Sequence, residues 1–259
     1  MGNKLLIDGD FILYKILSNK KQTSEEIEKY GDYNNRSFEE IQKGLNWYLE
    51  EKIFKPTEAT EYIGFVGGIG NFRKLISPEY KANRVDFESP KYFWESKQYL
   101  ADIWGFHKID NIESEDAVGI CLTKYSDSIL VYTDHDLNQL PGKRYNPVKE
   151  EFSEVSEYEA LEFFNWFQLS GCYTDKVLGL KKGIGESKAK KLLENIPLEK
   201  QLYEILNLFM LEYGEYDGID KFATNYKLLK ILRKKSDFII PEFTKLDINL
   251  DTNPEEFNF

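Results

Sequence analysis

Five carboxylates crowd the ends of two short elements between Asn111 and Asn138, in NIESEDAVGICLTKYSDSILVYTDHDLN. Glu113, Glu115 and Asp116 stand just ahead of a helix-like run, and Asp134 and Asp136 just after a strand-like one. The spacing of Ala117, Val118, Cys121, Leu122 and Tyr125 predicts a helix over 114–125, and 129–132 reads as a strand. Acids gathered at element ends are poor core material, because an ionised carboxylate is buried only with a partner. They suit hard divalent cations, which take oxygen ligands. Solvation or a helix cap is the ordinary explanation for any one of them; the set, repeated at strand ends, points to metal.

The repetition begins at the N-terminus. Lys4 to Ile7 is a short apolar run that ends in Asp8-Gly9-Asp10, a buried strand presenting acids at its carboxyl end. A helix is expected through Phe11, Ile12, Leu13, Ile16 and Leu17, and another through Phe38, Ile41, Leu45, Tyr48 and Leu49. A second strand over 61–66 runs into Gly67-Gly68-Ile69-Gly70; a helix follows over 89–104, then a short strand over 106–109. Strands alternating with helices predict an α/β fold with a mainly parallel central sheet, whose ligands lie beyond the carboxyl ends of the strands. Asp8 and Asp134 both fall at such ends. The aromatics Tyr92, Phe93, Trp94, Tyr99 and Trp104 suit either a core or a platform for stacked bases.

Beyond Gly142 the composition changes, and a boundary is expected near Tyr145. Helices are predicted over 156–170, 186–195, 198–213 and 222–235, with a loop-rich stretch over 171–185 and a surface-wrapping tail over 236–259. Lys181-Lys182-Gly183-Ile184-Gly185-Glu186-Ser187-Lys188 is a glycine turn opening a helix, and its backbone N–H groups suit a phosphate. The surrounding lysines favour non-specific contact with a DNA backbone. Arg73, Lys74, Lys81 and Arg84 form a second basic patch, which suits a solvated face equally well.

The 34 basic and 45 acidic residues of the 259, a net charge of −11, argue against loose nucleic-acid binding over the whole surface and leave room for a local basic channel. Cys121 and Cys172 make neither a disulfide framework nor a zinc pattern, and no base beside Cys172 suggests a thiol nucleophile. No secretory leader or membrane helix is legible, so a cytoplasmic setting is expected. His135, between Asp134 and Asp136, is expected to point to the opposite face from them, in a structural or supporting role.

The pieces LLIDGD at 5–10, FRKLISPEYKANR at 72–84, ESED at 113–116, TDHDLNQL at 133–140 and GCYTDKVLGLKKGIGESKAKKLL at 171–193 come in an order that resembles the 5′-nuclease family. That family comprises phage-type 5′–3′ exonucleases, flap endonucleases and the matching domain of bacterial DNA polymerase I. The resemblance implies a structure-selective DNA nuclease with two Mg²⁺ or Mn²⁺ ions, on a PIN-like α/β core over 1–145. It implies an arch or gateway around 72–104 and a helix–hairpin–helix-type DNA-binding region over 146–259. Asp8, Glu113, Glu115 and Asp134 would serve the first metal region, Asp136 and Asp175 the second, with Asp116 close by. Arg73, Lys81 and Arg84 would meet the scissile phosphate. Lys181, Lys182, Gly183, Gly185, Ser187 and Lys188 would grip DNA, with K⁺ at the 183–185 turn. DNA, phage replication proteins and a monomeric state complete what the resemblance implies.

Three departures stand out. The family usually carries an aspartate after the second strand, where Phe65 to Gly70 here offers no acid. It usually reads Gly-Asp-x-x-Asp before the glycine turn, where this chain has Gly171-Cys172-Tyr173-Thr174-Asp175. Ser187-Lys188 reverses the usual lysine and small residue. Asp10 and Asp116 are the acids placed to compensate. The missing acids motivate an alternative, a DNA-binding accessory protein that keeps the fold with weakened catalysis; an RNA-directed nuclease is a third reading.

Overall fold

Along β1 (Asn3–Asp8), Leu5 and Ile7 join the hydrophobic cluster on one face while Leu6 joins the cluster on the other, and all three are fully buried. β4 (Ile129–Val131) repeats the pattern, with Ile129 and Val131 on the first face and Leu130 on the second. Strands buried on both faces belong to a parallel sheet covered by helices on each side. The computed structural model describes residues 3–234 and 237, apart from 19 and 85–88. The tail expected over 236–259 therefore lies outside the described residues, save for Asp237.

The chain runs β1, α1 (Asp10–Leu17), α2 (Ser24–Tyr30), α3 (Phe38–Trp47), which widens into a π-helical stretch (Tyr48–Phe54), and α4 (Lys55–Thr57). β2 (Ala59–Gly67), α5 (Arg73–Ile76), α6 (Phe93–Trp104), β3 (His107–Ile109), α7 (Ser114–Lys124) and β4 follow. A 3₁₀ turn (His135–Gln139) leads to β5 (Gly142–Asn146) and β6 (Glu151–Val155). The remainder is α8 (Glu157–Ser170), the small pair β7 (Gly171–Cys172) and β8 (Val177–Leu178), α9 (Glu186–Leu193), α10 (Leu198–Tyr213) and α11 (Glu215–Leu229). The main sheet has the order β3-β2-β1-β4-β5-β6, parallel throughout except that β6 runs antiparallel to β5.

Helices α1, α3 and α6 cover one face of the sheet, and α7 covers the other. A third cluster, built from α8 to α11, draws in Tyr80 from the segment after α5. The expected break near Tyr145 does not coincide with an end of the sheet. Tyr145 pairs with Phe152 in the β5–β6 hairpin, so the sheet runs past it. Most of β6 is exposed edge strand, EFSEV, with none of the apolar run by which a strand is recognised. α11 begins at Glu215 rather than at Phe222, because Gly218 lets it lie against α10: a Cβ there would stand 2.5 Å from Met210 Cα.

The segment after α11 is pinned to α7. Leu232 N donates to Asp116 Oδ1 at 3.0 Å, and a Cβ on Gly119 would lie 2.3 Å from Leu232 O. Gly119→Ala, favoured by helix propensity alone, is therefore expected to destabilise the chain by about 1–3 kcal/mol through overpacking. Urea unfolding would measure it, and a stabilised variant would contradict this packing.

Candidate metal centre

Strand order reverses at β1, with β2 on one side and β4 on the other, and loops leaving the carboxyl ends of these strands surround a cavity of about 910 Å³. Such a switch point is where open α/β sheets bind ligands. Asp8, Asp10, Glu113, Glu115, Asp134, Asp136 and Asp175 all line it, together with Lys81, Arg84 and Lys97.

Each side chain is positioned by a local device. Asp8 ends β1; its Oδ1 lies 2.7 Å from Ser114 Oγ and accepts from Asp10 N at 3.0 Å. Glu113 sits at the N-terminus of α7, where its own N–H donates to Asp116 Oδ2 at 3.1 Å. Asp134 caps the 3₁₀ turn by accepting from Asp136 N at 3.0 Å. Asp175 is delivered by the β7–β8 turn, and its carbonyl accepts from Lys81 N at 2.9 Å. Lys81 holds a left-handed backbone, φ 54°, a conformation that costs about 1–2 kcal/mol in a non-glycine residue and is kept by surrounding contacts.

Basic groups neutralise part of this crowd. Lys81 Nζ bonds Glu113 Oε1 and lies 3.5 Å from Asp175 Oδ2, while Arg84 Nη2 donates to Asp175 Oδ1 at 2.7 Å. Tyr80 Oη lies 3.0 Å from both Glu113 Oε2 and Asp175 Oδ2. Burial alone would raise Glu113, yet Lys81 and Arg73 outweigh it and hold this carboxyl at about 2. Against burial, Asp134 is likewise held down, by its hydrogen bond with His135 first, but at three other acids burial and neighbouring carboxylates win. Burial, then the Asp10 charge, pushes Asp8 up to about 7; burial, then Asp134, pushes Asp136 up to about 7. Glu115 is raised by burial and by the charges of Glu113, Asp8 and Asp134. Carboxyls that mutually raise one another are in want of positive charge. Asp136 Oδ1, moreover, is buried and receives no hydrogen bond. An oxygen-rich, under-neutralised donor set of this kind fits hard divalent cations.

Two residues expected here are elsewhere. Arg73 is 2% exposed; its Nη1 and Nη2 grip Asp116 Oδ2 and Oδ1 at 2.6 and 2.8 Å, and its Nε donates to Leu228 O. Neither Arg73 nor Asp116 lines the cavity. Arg73 thus faces away from any phosphate there, and Asp116, fully buried, spends its oxygens on Arg73, Glu113 N and Leu232 N. His135 is a second correction. It lies in the 3₁₀ turn rather than on the strand, with Nδ1 3.3 Å from Asp134 Oδ1 and Nε2 3.1 Å from Asp136 Oδ1. A hydrogen bond with Asp134 raises its pKa.

Of the acids placed to compensate for the bare end of β2, only Asp10 reaches it. A Cβ on Gly67 would stand 2.8 Å from Asp10 Oδ2, which accepts from Gly67 N, and Lys97 Nζ lies 3.0 Å from Asp10 Oδ1. Sequence reasoning singled out none of Lys97, Tyr80 and Ser114: Tyr80 and Ser114 lie inside the 72–84 and 113–116 pieces without being named, and Lys97 lies outside every piece. The glycine turn is separate from the cavity: Lys181, Lys182, Gly183, Gly185, Ser187 and Lys188 are all exposed, and none lines it. Lys181 pairs with Glu212, and Lys188 Nζ donates to Gly183 O at 2.9 Å.

No protein-family model matches the sequence, and no curated protein matches it. Solved structures do. The T5 D15 protein crystallised with metal ions superposes with a TM-score of 0.64 at 14% identity, over 88% of this chain and 89% of that one. The chain has the 5′-nuclease fold. T5 5′-exonuclease with bound zinc gives a TM-score of 0.63 at 13% identity, covering 88% of this chain and 89% of that one. The bacteriophage T5 D15 flap endonuclease in a pseudo-enzyme–product complex with DNA and metal ions gives 0.56 at 13%, over 88% of this chain and 99% of that one. As expected of this fold, a mainly parallel sheet flanked by helices leads into a helical C-terminal region.

Proposed function

We propose that the chain is a metal-dependent 5′-nuclease that hydrolyses DNA phosphodiesters at flaps, ends or junctions. The observation that carries this reading is the convergence of acidic side chains from the ends of β1 and β4, the start of α7 and the β7–β8 turn on one cavity at the switch point. Asp8, Glu113, Glu115 and Asp134 would hold one Mg²⁺ or Mn²⁺, with Asp10 beside them in the space of the missing aspartate; Asp136 and Asp175 would hold the second. Divalent cations in such a pair supply an activated water and counter-charge for the leaving oxygen.

Lys81 and Arg84, which pair with Glu113 and Asp175, would be the cations left for a substrate phosphate once a divalent cation neutralises those carboxylates. Arg73 is assigned no contact with substrate; it braces the start of α7 through Asp116 and lies 3.4 Å from Glu113 Oε2. The exposed lysines of the 181–188 turn are assigned to the DNA backbone, where phosphate contact positions the duplex without reading its sequence.

Cleavage of 5′-flap and duplex DNA with Mg²⁺ or Mn²⁺ tests the reading. Asp134→Ala is expected to reduce turnover by about a hundredfold or more, comparable with the loss of an electrostatic stabilising group. Activity in the wild type no greater than in this variant would sink the proposal. Gly67 and Cys172, where family members carry acids, favour one second reading, a DNA-binding accessory protein. Tight flap binding with no turnover under any divalent cation would establish it, and a parallel ribo-substrate would expose an RNA-directed enzyme.

A further inference from the structure

Lys97 is a buried cation inside an acid-lined cavity, and neither the ions nor the phosphate of the cleavage reaction gives it a role. It stands on α6, 5% exposed, with its ammonium 5.0 and 5.6 Å from the ring centres of Phe93 and Trp94. Its Nζ donates to Gly67 O and lies 3.0 Å from Asp10 Oδ1. Asp10 accepts from Gly67 N through Oδ2 at 3.1 Å, so both backbone polar groups of Gly67 engage this pair. A Cβ on Gly67 would stand 2.8 Å from Asp10 Oδ2 and 3.5 Å from Lys97 Nζ. The ion pair therefore fills the space that a side chain at the end of β2 would take.

A buried ammonium is tolerated only beside a counter-charge. Here the counter-charge belongs to the carboxylate group at the strand ends. Ser114 Oγ ties Asp10 to that group, lying 2.7 Å from Asp8 Oδ1 and 3.2 Å from Asp10 Oδ2. Asp10 thus adjoins Asp8, while Lys97 offsets its negative charge from the other side. At such short range, and with little water between, a unit charge of either sign acts strongly on a divalent ion. An ammonium held against Asp10 opposes the ion that the remaining carboxylates attract.

We propose that Lys97 is a resident counter-cation that limits divalent-ion affinity at the Asp8 end of the cavity, by neutralising Asp10 and withholding its charge from the metal. Asp10 then occupies the space beside Gly67 as half of a neutral pair and not as a ligand. Asp8, Glu113, Glu115 and Asp134 remain the oxygen donors at that end. Lys97 is a positioning residue: it touches neither ion nor DNA and acts through Asp10. The assignment rests on the metal-dependent reading, but its measurement needs no DNA.

The test is titration of the full, EDTA-stripped chain with Mn²⁺, followed by calorimetry and by the electron paramagnetic resonance of free Mn²⁺. Lys97→Met keeps an apolar stem and removes the charge, and should bind Mn²⁺ about tenfold more tightly than wild type. A lysine that merely filled space would give no such gain. The double variant Lys97→Met/Asp10→Asn strands no charge and should stay within about threefold of wild type, one neutral pair having replaced another. Circular dichroism shows whether each variant is folded, and the double variant carries the test if Lys97→Met alone does not fold. Unchanged or weaker binding in folded Lys97→Met overturns the proposal and leaves the metal-dependent reading standing. A folded double variant weaker by about tenfold or more makes Asp10 a ligand and likewise overturns it. Tighter binding by Lys97→Met in a chain that cuts no DNA keeps the counter-cation and loses the nuclease reading. Mn²⁺ bound by neither wild type nor Lys97→Met overturns both.

Discussion

Asp116→Ala is expected to destabilise the chain by about 3–5 kcal/mol, the usual loss when one partner of a buried ion pair is removed. The guanidinium of Arg73 would keep the carbonyls of Leu228 and Lys230, at 3.0 and 2.6 Å, and a longer approach to Glu113 Oε2 at 3.4 Å, in a site closed to water. Glu113 N and Leu232 N would lose an acceptor in the same step, loosening both the start of α7 and the segment after α11. Urea unfolding of variant and wild type measures the effect. A loss below about 1 kcal/mol would place the pair among weakly coupled surface bridges and refute its bracing role. Arg73→Met combined with Asp116→Leu should recover much of the loss, since apolar side chains of similar volume replace such pairs without a stranded charge. Because neither residue lines the cavity, that double variant should still bind divalent cations. If it is fully folded and has lost all binding of Mn²⁺, the carboxylate of Asp116 belongs with the metal ligands after all.

The second large effect is a pH-dependent stabilisation by Mn²⁺. Asp8 and Asp136 are each pushed up to about 7 in the folded chain, first by burial and then by a neighbouring carboxylate. A carboxyl whose folded pKa lies above its unfolded value favours folding while protonated. That contribution is lost as pH rises from the unfolded value near 4 through about 7. His135, raised by its bond to Asp134, acts in the same sense, losing a stabilising charge as pH rises. The metal-free chain should therefore be more stable at pH 6 than at pH 8. Cations compete with those protons, so Mn²⁺ should raise the melting temperature more at pH 8. At a hundred times Kd the gain is about 2.7 kcal/mol, or roughly 5–11 °C for a chain of this size. Equal shifts at both pH values, with EDTA controls, would show that the crowded carboxyls are not where the ion binds.

Much of the fold was legible. The apolar runs of β1, β2 and β4 and the helical spacing of α1, α3, α7 and α8 are local patterns, and each was found at the expected place. β6 was missed because its exposed edge carries no apolar signal, and the start of α11 because Gly218 interrupts the pattern for a packing reason visible only against α10. At the candidate centre, eight of the ten residues expected to hold metal or meet phosphate line one cavity; Arg73 and Asp116 do not. Tyr80 and Lys97 could not have been found from sequence. They act by where α6 and the segment after α5 fold back; Lys97 lies outside every motif, and nothing in the 72–84 motif marks Tyr80 as a partner of Glu113 and Asp175.

Sequence by itself determined that acids stand at the ends of strands, because alternation along a strand and the position of its last residue are local properties of the chain. Only the tertiary structure decided which of those acids share a space. Glu115 and Asp116 are neighbours, yet on α7 successive side chains diverge by about 100°. That rotation turns Glu115 into the cavity and Asp116 into the core against Arg73. The bare backbone at Gly67 is likewise met by Asp10, fifty-seven positions away along the chain and adjacent only because β1 pairs with β2.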